Sequence, residues 1–261
     1  MLFAAPRCEI DRARYNRAVG VLAPAGTTDL IGAAVVAALI GGLAAVERKG
    51  ALQLMLSRPI VLAPLLGWAL GDPRGGLLLG VPLELIFLGG VNLGGSLPDN
   101  ETLLAAALTS AVVPAGIAAG TGVDPPLAAL ALALLFPLAL AGRRLERATE
   151  VRNAELSDLA LARTHGGDAR AVRLNLRGLL LPFAATAAIC FCCALISPLF
   201  AATRIHCPPR LVSGLTGAWH AVWALAAATA IRAIRDPRAM VLSAVAFAAV
   251  LGAAALLKAL P

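Results

Sequence analysis

GDPRGGLLLGVPLELIFLGGVNLGGSLPDNE, residues Gly71 to Glu101, decides the fold. The stretch is apolar enough for a bilayer, yet it carries Glu84, Asn92 and Asp99. Glycines stand at 75, 76, 80, 89, 90, 94 and 95, and prolines at 73, 82 and 98. An ionisable side chain facing lipid is costly, so such residues turn toward protein or a watery cavity. Glycine and proline let a helix break, which is tolerated at membrane depth only where the freed backbone is buried or lines a cavity. The stretch is therefore expected to be a broken segment around a polar site rather than one plain transmembrane helix.

The rest of the chain supports a membrane class. Of 261 residues, 59% are hydrophobic and 14% charged. A soluble domain has about 25% charged residues. The charges are clustered between long apolar runs, which implies an all-α polytopic membrane protein with broken or re-entrant segments. The net charge of +7 is then topological. No basic and aromatic residues alternate as on a nucleic-acid surface, so no nucleic-acid partner is expected. Five cysteines (8, 190, 192, 193, 207) form neither a zinc spacing nor an even secreted framework, and read as small buried hydrophobes. No metal and no cofactor is expected.

Four regions follow in order. Residues 1–26 are a basic tail, residues 27–142 a membrane region, residues 143–177 an arginine-rich segment and residues 178–261 a set of C-terminal membrane helices. Pro126 to Ala141 and Gly178 to Ala202 each read as one span, and Met240 to Leu257 as the last. The bias of a pre-proline residue away from helix predicts a break near Arg58. Residues 143–177 hold eight arginines and five acids, with apolar positions at helical spacing. That pattern reads as an amphipathic helix, broken at Gly166-Gly167, and the arginine excess places it in the cytoplasm. It is either a solvated connector or a docking arm.

Glu84, Asn92 and Asp99 are the candidate substrate-binding residues, with Gln53, Arg58 and Asp72 in possible support. Carboxylates accept, and amides both accept and donate, the hydrogen bonds that hydroxyl-rich ligands offer. Glu84 could instead be a structural acid on broken-helix amides. Pro98-Asp99-Asn100-Glu101 also reads as a turn and helix cap. Arg58 is either an interfacial anchor or a helix-end cation near the polar centre. No nucleophile elbow, phosphate-binding glycine loop or metal-hydrolase helix occurs, and no residue is assigned a catalytic role.

Gly71-Asp72, Gly76-Leu77, Gly80, Glu84, Leu88-Gly89, Asn92, Gly94 and Pro98-Asp99 together resemble the membrane IIC component of the mannose-fructose-sorbose class of the bacterial sugar phosphotransferase system. Glu47-Arg48, Gln53, Met55 and Ser57-Arg58-Pro59 upstream add to the resemblance. It implies a sugar-translocating subunit of the bacterial inner membrane, working with a IID membrane subunit and a soluble IIB subunit, and indirectly with IIA and the phosphocarrier protein. IIB would deliver phosphate to the sugar, so whether the chain itself counts as an enzyme stays open. Glu84, Asn92 and Asp99 would contact sugar hydroxyls, and an oligomer is implied. A regulatory phosphotransferase subunit and a phosphotransferase-independent permease are the competing readings.

Overall fold

A computed structural model describes residues 27–49, 54–88, 99–161 and 168–233, with isolated positions at 238, 241 and 245. Nine helices and no strand occur among these residues. They are α1 (Thr27–Arg48), α2 (Pro59–Leu70), α3 (Pro73–Phe87), α4 (Glu101–Ala118), α5 (Pro125–Leu135), α6 (Pro137–Leu161), α7 (Asp168–Leu195), α8 (Ser197–Ile205) and α9 (Pro209–Ala233).

Helix α4 is the centre. Fifteen of its residues, Thr102 through Gly116, are buried, and α1, α2, α3, α5, α6, α7 and α8 all pack on it. Its sequence explains this. Ala105, Ala106, Ala107, Ser110, Ala111, Ala115 and Gly116 keep much of the helix thin. In a bilayer, helices associate through close packing rather than a hydrophobic gain, so small residues favour the central position. One apolar cluster on α4 joins Leu79 and Leu83 of α3, Leu127 and Leu132 of α5, Phe200 of α8 and Trp219 of α9. A second joins Ala34 and Ala37 of α1, Leu62 and Leu66 of α2 and Cys190 of α7.

Four helical segments, Asp29–Arg48, Glu101–Ala118, Arg173–Ile205 and Pro209–Ala233, are long and apolar enough to cross a membrane. A fifth is formed if α5 and Pro137–Asp158 of α6, bent by 40°, count as one span. The apolar run expected as one span over 126–141 is thus bent at Pro137. Pro137 cannot donate its backbone nitrogen and begins a new helix, which runs on into the arginine-rich segment. The single span expected over 178–202 lies within the Arg173–Ile205 segment, with Ile196 at the junction of α7 and α8 and Pro198 in the first turn of α8. Prolines at 59, 73, 125 and 209 likewise open helices. Pro82 behaves otherwise: expected as one of the breaks, it lies inside α3, which continues to Phe87. The expected span over 240–257 and the glycine pair at 166–167 lie outside the described residues.

Candidate functional site

Helices α2 and α3 form a hairpin turned at Gly71, whose φ of 102° needs a residue without Cβ. Gly76, Gly80 and Glu84 recur every four residues and so share one face of α3. A Cβ at Gly76 would stand 2.2 Å from Ala63 O, and one at Gly80 2.4 Å from Pro59 O. The glycines thus bring α3 onto the backbone of α2, and Glu84 arrives next at the start of α2. There the Ile60 N–H donates to Glu84 Oε2 at 3.4 Å, and Arg58 Nη1 donates to Oε1 at 3.4 Å. The Glu84 side chain is 12% exposed and that of Arg58 44%. A helix N-terminus, with its unpaired N–H groups and positive dipole end, stabilises such an anion. A carboxylate offers about four acceptor positions, and two long bonds leave room for hydroxyl donors.

Beside this pair lies a dense charged cluster at the start of α4. Arg48, at the end of α1, reaches Glu101 Oε1 at 2.5 Å, Glu146 Oε1 at 3.3 Å and Thr102 Oγ1 at 3.2 Å. Lys49 also pairs with Glu146. Asn100 caps α4, its Oδ1 accepting from Leu103 N–H at 2.9 Å, while its amide donates to Glu146 Oε1 at 3.0 Å. Asp99 Oδ1 accepts from Arg143 Nε at 2.5 Å. Glu47, Asn100, Thr102 and Glu146 are all buried. Buried charges are tolerated when paired and hydrogen-bonded, and here each acid has a cation or N–H partner.

The six residues expected at a site therefore separate. Glu84 and Arg58 meet. Asp99 stands at the same end of α4, in the charged cluster, and the cap residue is Asn100 rather than Asp99. Asp72 is elsewhere: it caps α3, accepting from Gly75 N–H at 2.9 Å, with Val123 N–H at 3.4 Å. Twelve residues of helix put it about 18 Å from Glu84. Gln53 and Asn92 lie outside the described residues. The sequence reading missed Glu101, Thr102, Glu146 and the part played by Arg48. Glu146 looked like one of five acids in a solvated segment. Its partner Asn100 is 46 positions away, and no local spacing signals such a pair.

The opposite end of α4 is simpler. Asp124 caps α5 through Leu127 N–H at 3.1 Å and pairs with Arg204, whose Nε and Nη2 lie 2.7 and 2.6 Å from Oδ2.

With this arrangement in place, comparison with known proteins is decisive for the family. The family model described as the sorbose-specific IIC component of the phosphotransferase system matches residues 31–259. The chain belongs to that family. As a member it is a multi-pass membrane protein, in keeping with the helices long and apolar enough to cross a membrane among the described residues. It is similar to the fructose permease IIC component of Bacillus subtilis, 36% identical over 99 residues, which are 37% of this chain and 35% of the relative. It is also similar to the mannose-specific EIIC component of Escherichia coli K12, 31% identical over 91 residues, 35% of this chain and 31% of the relative. The chain thus spans about a third of the length of these relatives. Two solved structures share its fold. One, titled as a membrane protein, has a TM-score of 0.64 at 22% identity, covering 90% of this chain and 94% of the other. The other is a cryo-EM structure of the mannose transporter ManYZ with microcin E492, with a TM-score of 0.52 at 21% identity and the same coverage.

Proposed function

We propose that this IIC component is the sugar-translocating subunit of a mannose-type phosphotransferase system in the bacterial inner membrane. It binds a hexose-like sugar and passes it inward for phosphorylation by a soluble IIB partner, alongside a IID membrane subunit. The observation that carries the reading is Glu84, a shielded acid with spare acceptor capacity, set on the N-terminus of α2 beside Arg58. Sugar hydroxyls are the donors that such an acid lacks. Asn92 and Asp99 complete the binding set in this reading, and Gln53 supports it. In this reading residues 1–26 are a basic tail, 27–142 the substrate-bearing region, 143–177 a cytoplasmic arm and 178–261 the C-terminal membrane region. The arm's arginines suit a phosphate-bearing partner. Transport proceeds by alternating access, with the α2–α3 hairpin moving against the helices around it.

The test uses chromosomal variants in the native host and radiolabelled mannose, fructose and sorbose. Glu84→Gln and Asn92→Ala abolish uptake of whichever sugar the parent strain takes up, with the protein still present in the membrane. Parental uptake by both variants contradicts the site, and parental cells that take up none of the sugars contradict the transport reading.

A further inference from the structure

The turn over residues 54–58, just before α2, is a strained segment. Met55 has φ of 58°, and among the described residues it is the sole non-glycine residue with a positive φ. Left-handed backbone disfavours a side chain, so it persists only where its surroundings hold it. The turn is closed by Arg58 N–H donating to Met55 O at 3.2 Å.

The hold falls on Ser57. Its N–H donates to Glu47 Oε2 at 2.8 Å, and its carbonyl accepts from Thr102 Oγ1 at 2.9 Å. Both groups of one residue's backbone are therefore gripped by side chains from two other helices. The direction of the second bond is fixed. A threonine hydroxyl has one hydrogen, and because Arg48 Nη1 donates to Thr102 Oγ1 at 3.2 Å, that hydrogen is free to point at Ser57. Glu47 is 7% exposed and Thr102 1%, so both bonds are largely shielded from solvent.

The next residue is Arg58. Its carbonyl accepts from Leu62 N–H at 2.8 Å and so begins α2, and its guanidinium meets Glu84. Fixing Ser57 therefore fixes the first free N–H of α2 and the backbone from which the Arg58 guanidinium reaches the Glu84 carboxylate. We infer that Glu47 and Thr102 are positioning residues for sugar binding: they clamp the Ser57 backbone and thereby set Arg58 and the start of α2 against Glu84. The inference rests on the reading of Glu84 as a sugar-binding residue. Neither clamp residue touches the sugar; each acts through the turn.

The experiment compares Thr102→Val, Thr102→Ser, Glu47→Met and Glu84→Gln in the native host, with the radiolabelled hexose that the parent takes up. Valine keeps the shape and removes the donor, which leaves the Ser57 carbonyl unpaired. Loss of one buried bond that holds a binding geometry is expected to raise the apparent KM for uptake about tenfold. Maximal rate and membrane abundance stay at the parental level, and serine restores the parental KM. Hydrogen exchange on the purified protein rises over residues 55–60 in Thr102→Val and not in Thr102→Ser. A parental KM in Thr102→Val, or loss of abundance with KM unchanged, overturns the inference. If that variant does not accumulate, Glu47→Met, which removes the acceptor of the Ser57 N–H at similar length, decides by the same criterion. The two readings fail separately. Parental uptake by Glu84→Gln overturns the site itself, whereas loss of uptake there with a parental KM in Thr102→Val overturns only the clamp.

Discussion

The two ends of α4 are built differently. At its start, side chains from α1, α4 and α6 converge on one another and on the backbone of the 54–58 turn: Glu47, Arg48, Lys49, Asp99, Glu101, Arg143 and Glu146 interlock, with Asn100 and Thr102 among them. At its far end two aspartates cap helices, and Asp124 adds one ion pair to Arg204. The far end looks like ordinary helix termination. The near end fixes four segments relative to one another, and Glu84 and Arg58 stand beside it. The difference teaches that the cluster's work is geometric: it defines where the α2–α3 hairpin begins, and so where its acid is held.

Substitutions should separate the ends by size of effect. Glu146→Ala removes the acid shared by Arg48, Lys49 and Asn100, all well shielded. Breaking a buried pair leaves charge uncompensated, so a loss of about 3 kcal/mol is expected. Thermal unfolding in detergent checks this, and a loss no larger than at the far end would erase the contrast. Asp124→Ala removes one cap and one partner of Arg204 at partly exposed positions. A loss of about 1 kcal/mol is expected from the cap, read in the same assay. Sugar uptake should survive Asp124→Ala, because this change leaves the start of α2 in place.

Much of this fold was legible in the sequence. Long uncharged runs announced membrane helices, and the pre-proline residue Arg58 marked the start of α2. Glycines 76 and 80, read as points where a helix can break, instead lie inside α3 and make its close seam with α2. Proline was less transparent. Pro137 ends a helix and begins another, while Pro82 sits inside α3, because tertiary packing decides whether a lost backbone bond is tolerated. The site was legible in part. Glu84 stood out because an acid in an apolar run is rare. Its closeness to Arg58 depends on the hairpin, which no local pattern encodes. Asp72 shared the motif-bearing stretch with Glu84, yet the rise of α3 carries it to the opposite end. The charged cluster was hidden altogether, since Glu47, Asn100 and Glu146 come from three separate stretches and each looks like a helix-end or solvated residue in isolation.

The central claim is that the sugar is held at the Glu84 end of α3 and not at its Asp72 end. Isothermal titration of the purified protein with mannose, fructose and sorbose tests it, comparing the parent, Glu84→Gln and Asp72→Asn. Binding heat for the recognised hexose should vanish in Glu84→Gln and persist in Asp72→Asn, which loses only part of a cap. Retained binding in Glu84→Gln, or loss confined to Asp72→Asn, would contradict the account.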